Sequence, residues 1–163
     1  MTSITAAVAV SAWLLGCSAA GAAETWTRTT QPNGTAVHAC ASGECGRDAT
    51  ISCRVLPPEA ETSSEAFTAR IAKQIADLRA VGRDITARPV TTEAMGERVL
   101  HRTRLLYGGT VPGFESGLLV GPREAFVVIS TAADAKSMTR NFDRFVARLA
   151  KQPIGATAAE CPP

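Results

Sequence analysis

The chain has 163 residues, of which 17 are Lys or Arg and 15 are Asp or Glu, so its net charge at neutral pH is only +2. This balance argues against a dedicated nucleic-acid binder, because such proteins usually carry a strong basic excess. The apolar content is ordinary, which argues against wholesale disorder. The length suits one domain with a core of its own.

The N-terminal segment, residues 1–23, carries no charged side chain. Its apolar run, residues 4–15, is too short to span a bilayer comfortably and is typical of a signal-peptide core. We therefore predict a signal peptide at 1–23, a single domain at 24–163 and export of the protein. Residues 14–17 resemble a lipobox, in which Cys17 would be lipidated and become a membrane anchor, whereas residues 20–22 suit ordinary signal peptidase, which would release a soluble periplasmic protein.

Three short strands are predicted after the signal peptide, at residues 26–30, 35–40 and 49–56. The first two are separated by a turn containing Asn33 and Gly34, a pair that tolerates positive φ. In the third strand, Ile51, Cys53 and Val55 alternate and lie on one face. Pro57 then ends the strand, because proline has no N–H to donate to the ladder.

The chain has five cysteines, and either cleavage removes Cys17 from the folded domain. The remaining four suit two disulfides in an oxidising compartment: Cys40, Cys45, Cys53 and Cys161. Three pairings are open, and we prefer Cys40 with Cys45 and Cys53 with Cys161. A zinc site formed with His38 is disfavoured, because the spacing is poor and an exported protein has its thiols oxidised.

A helix is predicted next, opened by a capping box of Thr62 and Glu65 and closed near Gly82. Its apolar positions recur at helical spacing and form one stripe: Phe67, Ile71, Ile75 and Leu78. Four further strands are predicted at residues 84–90, 97–107, 114–120 and 124–131. Gly121 and Pro122 form the turn that joins the last two into an antiparallel hairpin.

A second helix follows the last strand, with Thr131 and Asp134 as its capping residues. Its apolar stripe consists of Met138, Phe142, Phe145 and Leu149. Beside this stripe lie four cations at a spacing of four, which places them on one face of the helix: Lys136, Arg140, Arg144 and Arg148. They are either an ordinary solvated face or a docking surface for an anionic protein partner or lipid headgroups. Three arginines of the strand at 97–107 would extend such a surface or face water on the sheet: Arg98, Arg102 and Arg104.

The predicted order is β-β-β-α-β-β-β-β-α, an α+β fold with an antiparallel sheet and two helices packed on it. This order, with the segment FESGLLV at 114–120 leading into the last strand and helix, resembles the PsbP/DcrB-like fold. That fold occurs in small exported lipoproteins and extrinsic photosystem proteins. The resemblance implies a role as an assembly factor, a binding subunit or a secretion adaptor.

Catalytic signatures are sparse: the chain contains two histidines, His38 and His101, and neither Gly-x-Ser-x-Gly nor His-Glu-x-x-His. We expect His101 to be a structural residue of its strand. We predict no enzymatic activity, no cofactor and no metal.

The expected function is that of a non-enzymatic exported envelope protein that binds a partner or assists assembly. The alternative is a carrier of a small ligand, with an apolar pocket between sheet and helix lined by residues such as Phe67, Phe126 and Phe142. An unrecognised hydrolase is the third hypothesis. A well-filled core would favour partner binding over the carrier, and the sequence leaves the oligomeric state open.

Overall fold

The computed structural model describes residues 25–153 and residue 161, and its strands and helices confirm the predicted α+β class. The strands are Trp26–Thr30 (β1), Ala36–Cys40 (β2), Thr50–Val55 (β3), Ile85–Ala87 (β4), Thr91–Met95 (β5), Arg98–Tyr107 (β6), Val111–Val120 (β7) and Ala125–Thr131 (β8). The helices are Ser64–Ala80 (α1) and Ala135–Ala150 (α2).

All strands pair antiparallel in one sheet, in the order β1-β2-β3-β8-β7-β6-β4, and β5 also pairs with β6. β4 and β5 occupy successive parts of the same edge of β6, so the predicted strand at 84–90 is shorter than expected and β5 is an additional strand. The break has a simple cause: the Arg88 N–H still donates to the Arg104 carbonyl at 2.8 Å, but Pro89 has no N–H with which to continue the ladder.

The two helices lie on opposite faces of the sheet. Because side chains alternate along a strand, Phe126 and Val128 of β8 belong to the cluster under α2, whereas Val127 and Ile129 pack against the cluster under α1. We call these sides the α2 face and the α1 face. Most of the core is therefore divided by the sheet into two separate clusters.

The predicted capping residues are partly wrong. At α1 the N-cap is Ser63, whose Oγ accepts from the Ala66 N–H at 3.1 Å, so the Thr62–Glu65 capping box does not form. At α2, Asp134 caps as predicted, with Oδ1 accepting from the Ser137 N–H at 2.8 Å. Thr131 instead stays in β8, where its hydroxyl lies 2.7 Å from that of Thr50.

The structure joins Cys40 to Cys45 and Cys53 to Cys161, the pairing preferred from the sequence, with Cα separations of 6.2 and 5.8 Å. Cys53 and Cys161 are both buried in the core of the α2 face. Disulfides persist in oxidising surroundings and are rare in the cytosol. The two bridges therefore indicate a non-cytoplasmic, oxidising location.

Candidate functional site

The inner side of α2 fixes the helix firmly on the sheet. All four residues of the predicted apolar stripe are buried, with exposures between 0% and 4%: Met138, Phe142, Phe145 and Leu149. Phe142 lies directly over Gly117 of β7, where a Cβ atom would come within 2.5 Å of the phenyl ring. A side chain at this position would clash, so the glycine permits the close approach of helix and strand.

The outer side of α2 carries the predicted cations, but they do not all have the same environment. Lys136, Arg144 and Arg148 are exposed, and we call these three residues the α2 ridge. Arg140 is half-buried and donates to the Glu44 carbonyl in the small disulfide loop. Arg140 is therefore a contact residue between the helix and the loop as well as a surface cation.

The three arginines of β6 point toward α2. The sequence expectation that they extend a basic surface or face water is wrong for Arg98, whereas the side chains of Arg102 and Arg104 stay 21% and 32% exposed. Arg98 is 3% exposed and pairs with Glu124 at 2.7 Å. Its other guanidinium nitrogen donates to three carbonyls at the end of α2, at 2.7 to 3.1 Å: Leu149, Ala150 and Gln152. A single buried cation thus caps the C-terminal end of the helix, and the Leu149 carbonyl also accepts from the Gln152 N–H at 3.1 Å.

The other two arginines of β6 neutralise Glu115, which is 2% exposed on the same face. Arg102 pairs with it closely, Arg104 approaches it at 3.3 Å and the Thr139 hydroxyl donates to it at 3.0 Å. Burial alone would lower the pKa of Arg102, but the hydrogen bond and charge of Glu115, with Asp143 and Glu93, raise it. The guanidinium therefore stays charged inside this network.

A small cavity of about 10 Å³ lies between α2 and the first three strands. Its lining consists of Trp26, His38, Ile51, Asn141, Arg144, Phe145 and Arg148. Two buried polar atoms of this lining, His38 Nε2 and Asn141 Oδ1, have no hydrogen-bond partner among the described residues. The amide nitrogen of Asn141 is occupied, because it donates to the Cys45 carbonyl at 2.7 Å. The cavity therefore combines an apolar wall with unsatisfied polar groups.

The electrostatics around this cavity are positive. Arg28 of β1 is the register partner of His38 and is exposed. Burial, and then the charge of Arg28, lower the pKa of His38, whose ring packs 5.3 Å from that of Phe145. The imidazole is therefore neutral at physiological pH. With Arg144 and Arg148 in the lining, cations from two elements lie at this end of the α2 face.

The second histidine has a structural environment on the opposite face, as expected. His101 is 7% exposed, its Nδ1 lies 2.8 Å from the Thr92 hydroxyl, and its ring lies 6.4 Å from Phe67. Within the described part of the chain, no group of three His, Cys, Asp or Glu residues is placed to hold a metal ion.

The pocket expected for a carrier does not form from the residues suggested for it. Phe126 and Phe142 belong to the cluster of the α2 face, whereas Phe67 lies in the cluster of the α1 face. All three are at most 2% exposed, and the sheet separates Phe67 from the other two. They fill two cores and cannot line one common pocket.

Sequence reasoning missed the cavity residues Trp26, His38 and Asn141 as a group. One signal was available, since Asn141 stands three residues from Met138 and four from Phe145 on the apolar stripe of the helix. A polar residue at a buried helical position needs a partner. The proposed lipidation residue, Cys17, lies outside the described residues.

A scan against protein-family models and a search of curated proteins found no match to this chain. The resemblance to the PsbP/DcrB-like fold thus stays a prediction from element order. Neither helix within residues 25–153 has the length and apolar character needed to cross a membrane.

Proposed function

We propose that this protein is a non-enzymatic exported protein of the bacterial cell envelope that docks an anionic partner through the α2 ridge and the neighbouring Arg28. The observation that carries the proposal is the difference between the two sets of cations on the α2 face. Those of β6 are neutralised by Glu115 and Glu124, whereas Lys136 and Arg148 are exposed and form no ion pair with residues 25–153.

The physical reason is that α2 does not need its outer cations to stay in place. Its apolar stripe, the Arg98 cap and the Asn141 bond to the disulfide loop hold its inner side. Lys136 and Arg148 can thus meet an anionic membrane surface or the acidic face of an envelope protein. Such a role suits an assembly-accessory or partner-binding module, whether periplasmic or anchored through a lipidated Cys17.

Binding to anionic surfaces tests this proposal. The variant Lys136→Gln/Arg144→Gln/Arg148→Gln should keep its fold and lose about two orders of magnitude in affinity for anionic vesicles or an acidic envelope partner, because each charge near such a surface contributes about 1 kcal/mol. The loss should shrink as salt rises, since exposed charges are screened. Equal recovery of vesicles and envelope proteins by wild type and variant, at low and moderate salt, would make the ridge ordinary solvated surface.

The mature N-terminus tests the localisation part separately. Mass spectrometry of protein isolated from its own envelope should show either a diacylated Cys17, which means a lipoprotein, or an unmodified terminus at Ala23 or Glu24, which means a soluble periplasmic protein. An intact Met1 on a cytosolic product would contradict export.

A further inference from the structure

We propose that the cavity beside the α2 ridge binds the headgroup of a phosphate ester that carries a neighbouring hydroxyl group, a polyol phosphate. The hydroxyl enters the cavity between His38 and Asn141, and the phosphate is held at the mouth by Arg144 and Arg148. This inference rests on the proposed function, because it names the chemistry that the anionic partner presents to the α2 ridge.

The buried polar atoms define the group that enters the cavity. Asn141 Oδ1 and His38 Nε2 have no hydrogen-bond partner among the described residues, although both residues are only 2% exposed. An amide oxygen only accepts, so the entering group must donate, whereas the nitrogen of a neutral imidazole donates or accepts according to tautomer. A hydroxyl does both and can satisfy the two atoms at once.

Size and charge exclude the other common donors. The cavity has a volume of about 10 Å³, which leaves room for roughly one water-sized group and excludes a ring or a branched side chain. An ammonium group would also donate, but Arg28, Arg144 and Arg148 make this end of the molecule positive and disfavour a further cation. A neutral hydroxyl is thus favoured over an amine.

The arginines define the group that remains outside. Guanidinium groups bind phosphate and carboxylate oxygens with paired hydrogen bonds. Arg144 and Arg148 lie one helical turn apart and both line the cavity, so they reach an anion from neighbouring positions. A phosphate offers oxygens in several directions, which suits two guanidinium groups better than the planar carboxylate does.

Soluble analogues test the chemistry directly in the full mature protein. Glycerol 3-phosphate should bind about tenfold more tightly than methyl phosphate, which has the same anionic group without the hydroxyl, because a satisfied buried hydrogen-bonding pair is worth about this factor. Glycerol alone should not bind. Nuclear magnetic resonance titration should place the largest shifts at the His38 ring, the Asn141 amide and the Trp26 indole.

Variants separate the two parts of the site. Asn141→Leu and His38→Gln should abolish the preference for glycerol phosphate while leaving methyl phosphate binding in place. Arg148→Gln should weaken both ligands about fivefold, and Lys136→Gln, a cation of the same ridge outside the cavity lining, should change neither. Arg148→Gln and Lys136→Gln are both at exposed positions and should fold. Their comparison therefore still tests the site if Asn141→Leu or His38→Gln fails to fold.

Vesicle binding distinguishes a lipid headgroup from a soluble ester as the ligand. It also tests this inference separately from the proposed function. Preference for phosphatidylglycerol over phosphatidylserine at equal charge, lost in Asn141→Leu, supports a lipid headgroup; glycerol phosphate binding without that preference supports a soluble ester. Equal affinity for glycerol phosphate and methyl phosphate, or no binding of either at millimolar concentrations, would overturn the inference. Equal weakening of vesicle binding by Lys136→Gln and Arg148→Gln would also overturn it and leave the ridge proposal standing. If the protein binds an acidic envelope protein but no phosphate ester, the inference is likewise overturned and the ridge proposal stands.

Discussion

The two faces of the sheet carry helices of similar length that are held in very different ways. α1 has 17 residues and buries only Phe67 and Ile71, whereas α2 has 16 residues and buries seven. The α2 face also contains the Arg98–Glu124 pair, the Glu115 network and the Cys53–Cys161 bridge. A similar apolar stripe in the sequence thus gives different burial, because the sheet offers α1 mainly the short edge strand β4 and offers α2 its long central strands. Stability is concentrated on the face that also carries the candidate site.

The largest effect should come from removing the long disulfide. Replacing Cys53 and Cys161 together by Ala should lower the free energy of unfolding by about 5 kcal/mol, because the bridge closes a loop with a sequence separation of 108. Removing the Cys40–Cys45 bridge, with a separation of 5, should cost about 2 kcal/mol on the same argument. Urea denaturation of the two double variants measures the difference. Equal losses would mean that loop length does not determine the stabilisation here.

The buried arginine cap allows a matched comparison of the two helices. Arg98→Met should lower the free energy of unfolding by about 3–5 kcal/mol, because it leaves Glu124 buried without its partner and removes a donor from the carbonyls at the end of α2. Lys73→Met on α1 breaks an exposed pair with Asp77 at 2.9 Å and should cost at most about 0.5 kcal/mol. Similar losses in the two variants would contradict the difference between the faces.

Periodicity made the second helix and most strands predictable, because each has enough apolar positions to define a face. It failed at β5, where Thr91 to Ala94 are all exposed and no alternation marks the strand. Periodicity also failed for the arginines of β6. From the sequence alone, an arginine that faces water cannot be distinguished from one that points inward and pairs with a carboxylate. Glu115, inside the apolar segment 114–120, was the available clue that inward-pointing cations were needed.

The cavity was less predictable than the helix that borders it. Trp26, His38 and Asn141 come from three elements that are distant in sequence, and only the strand order β1-β2-β3 with α2 across it brings them together. The sequence also did not predict that Ser63, and not Thr62, is the N-cap of α1, since adjacent hydroxyl residues have similar capping preferences.

His38 should make the α2 face sensitive to pH. Its pKa is lowered in the folded protein, so below about pH 6.5 the unfolded chain takes up a proton that the folded protein resists. The contribution of neutral His38 to the free energy of unfolding is therefore complete above the unfolded pKa. It is lost as the pH falls below that value. Burial is the larger cause of the lowered pKa and the charge of Arg28 on β1 is the second. Among the described residues, Arg144 and Arg148 of α2 line the same cavity as the ring.

Urea midpoints from about pH 5 to about pH 8, on both sides of the usual imidazole pKa of about 6.5, check this expectation. The wild type should lose stability on the acidic side, and His38→Gln should show a flatter profile over that range. An identical slope in both proteins would assign the pH dependence to other groups.

The smallest effects on stability should occur on the outer side of α2. Arg148→Gln should change the free energy of unfolding by no more than about 0.5 kcal/mol, as is usual for an exposed side chain. Arg140→Gln should cost about 1 kcal/mol, because it removes the hydrogen bond to the Glu44 carbonyl in the disulfide loop. Thermal unfolding of the two single variants separates them, and the reverse order would contradict the assigned environments.

Equal charge changes on the two helices test whether the α2 face itself docks anionic surfaces. Arg144→Gln/Arg148→Gln changes α2, and Lys73→Gln/Arg83→Gln removes two exposed cations in and just after α1. The measurement is the partition of each folded variant onto anionic vesicles at low salt. The α2 variant should bind roughly thirtyfold more weakly than wild type and the α1 variant should bind like wild type, since only charges near the surface contribute about 1 kcal/mol each. Equal weakening of both variants would show that net charge, and not the α2 face, determines binding.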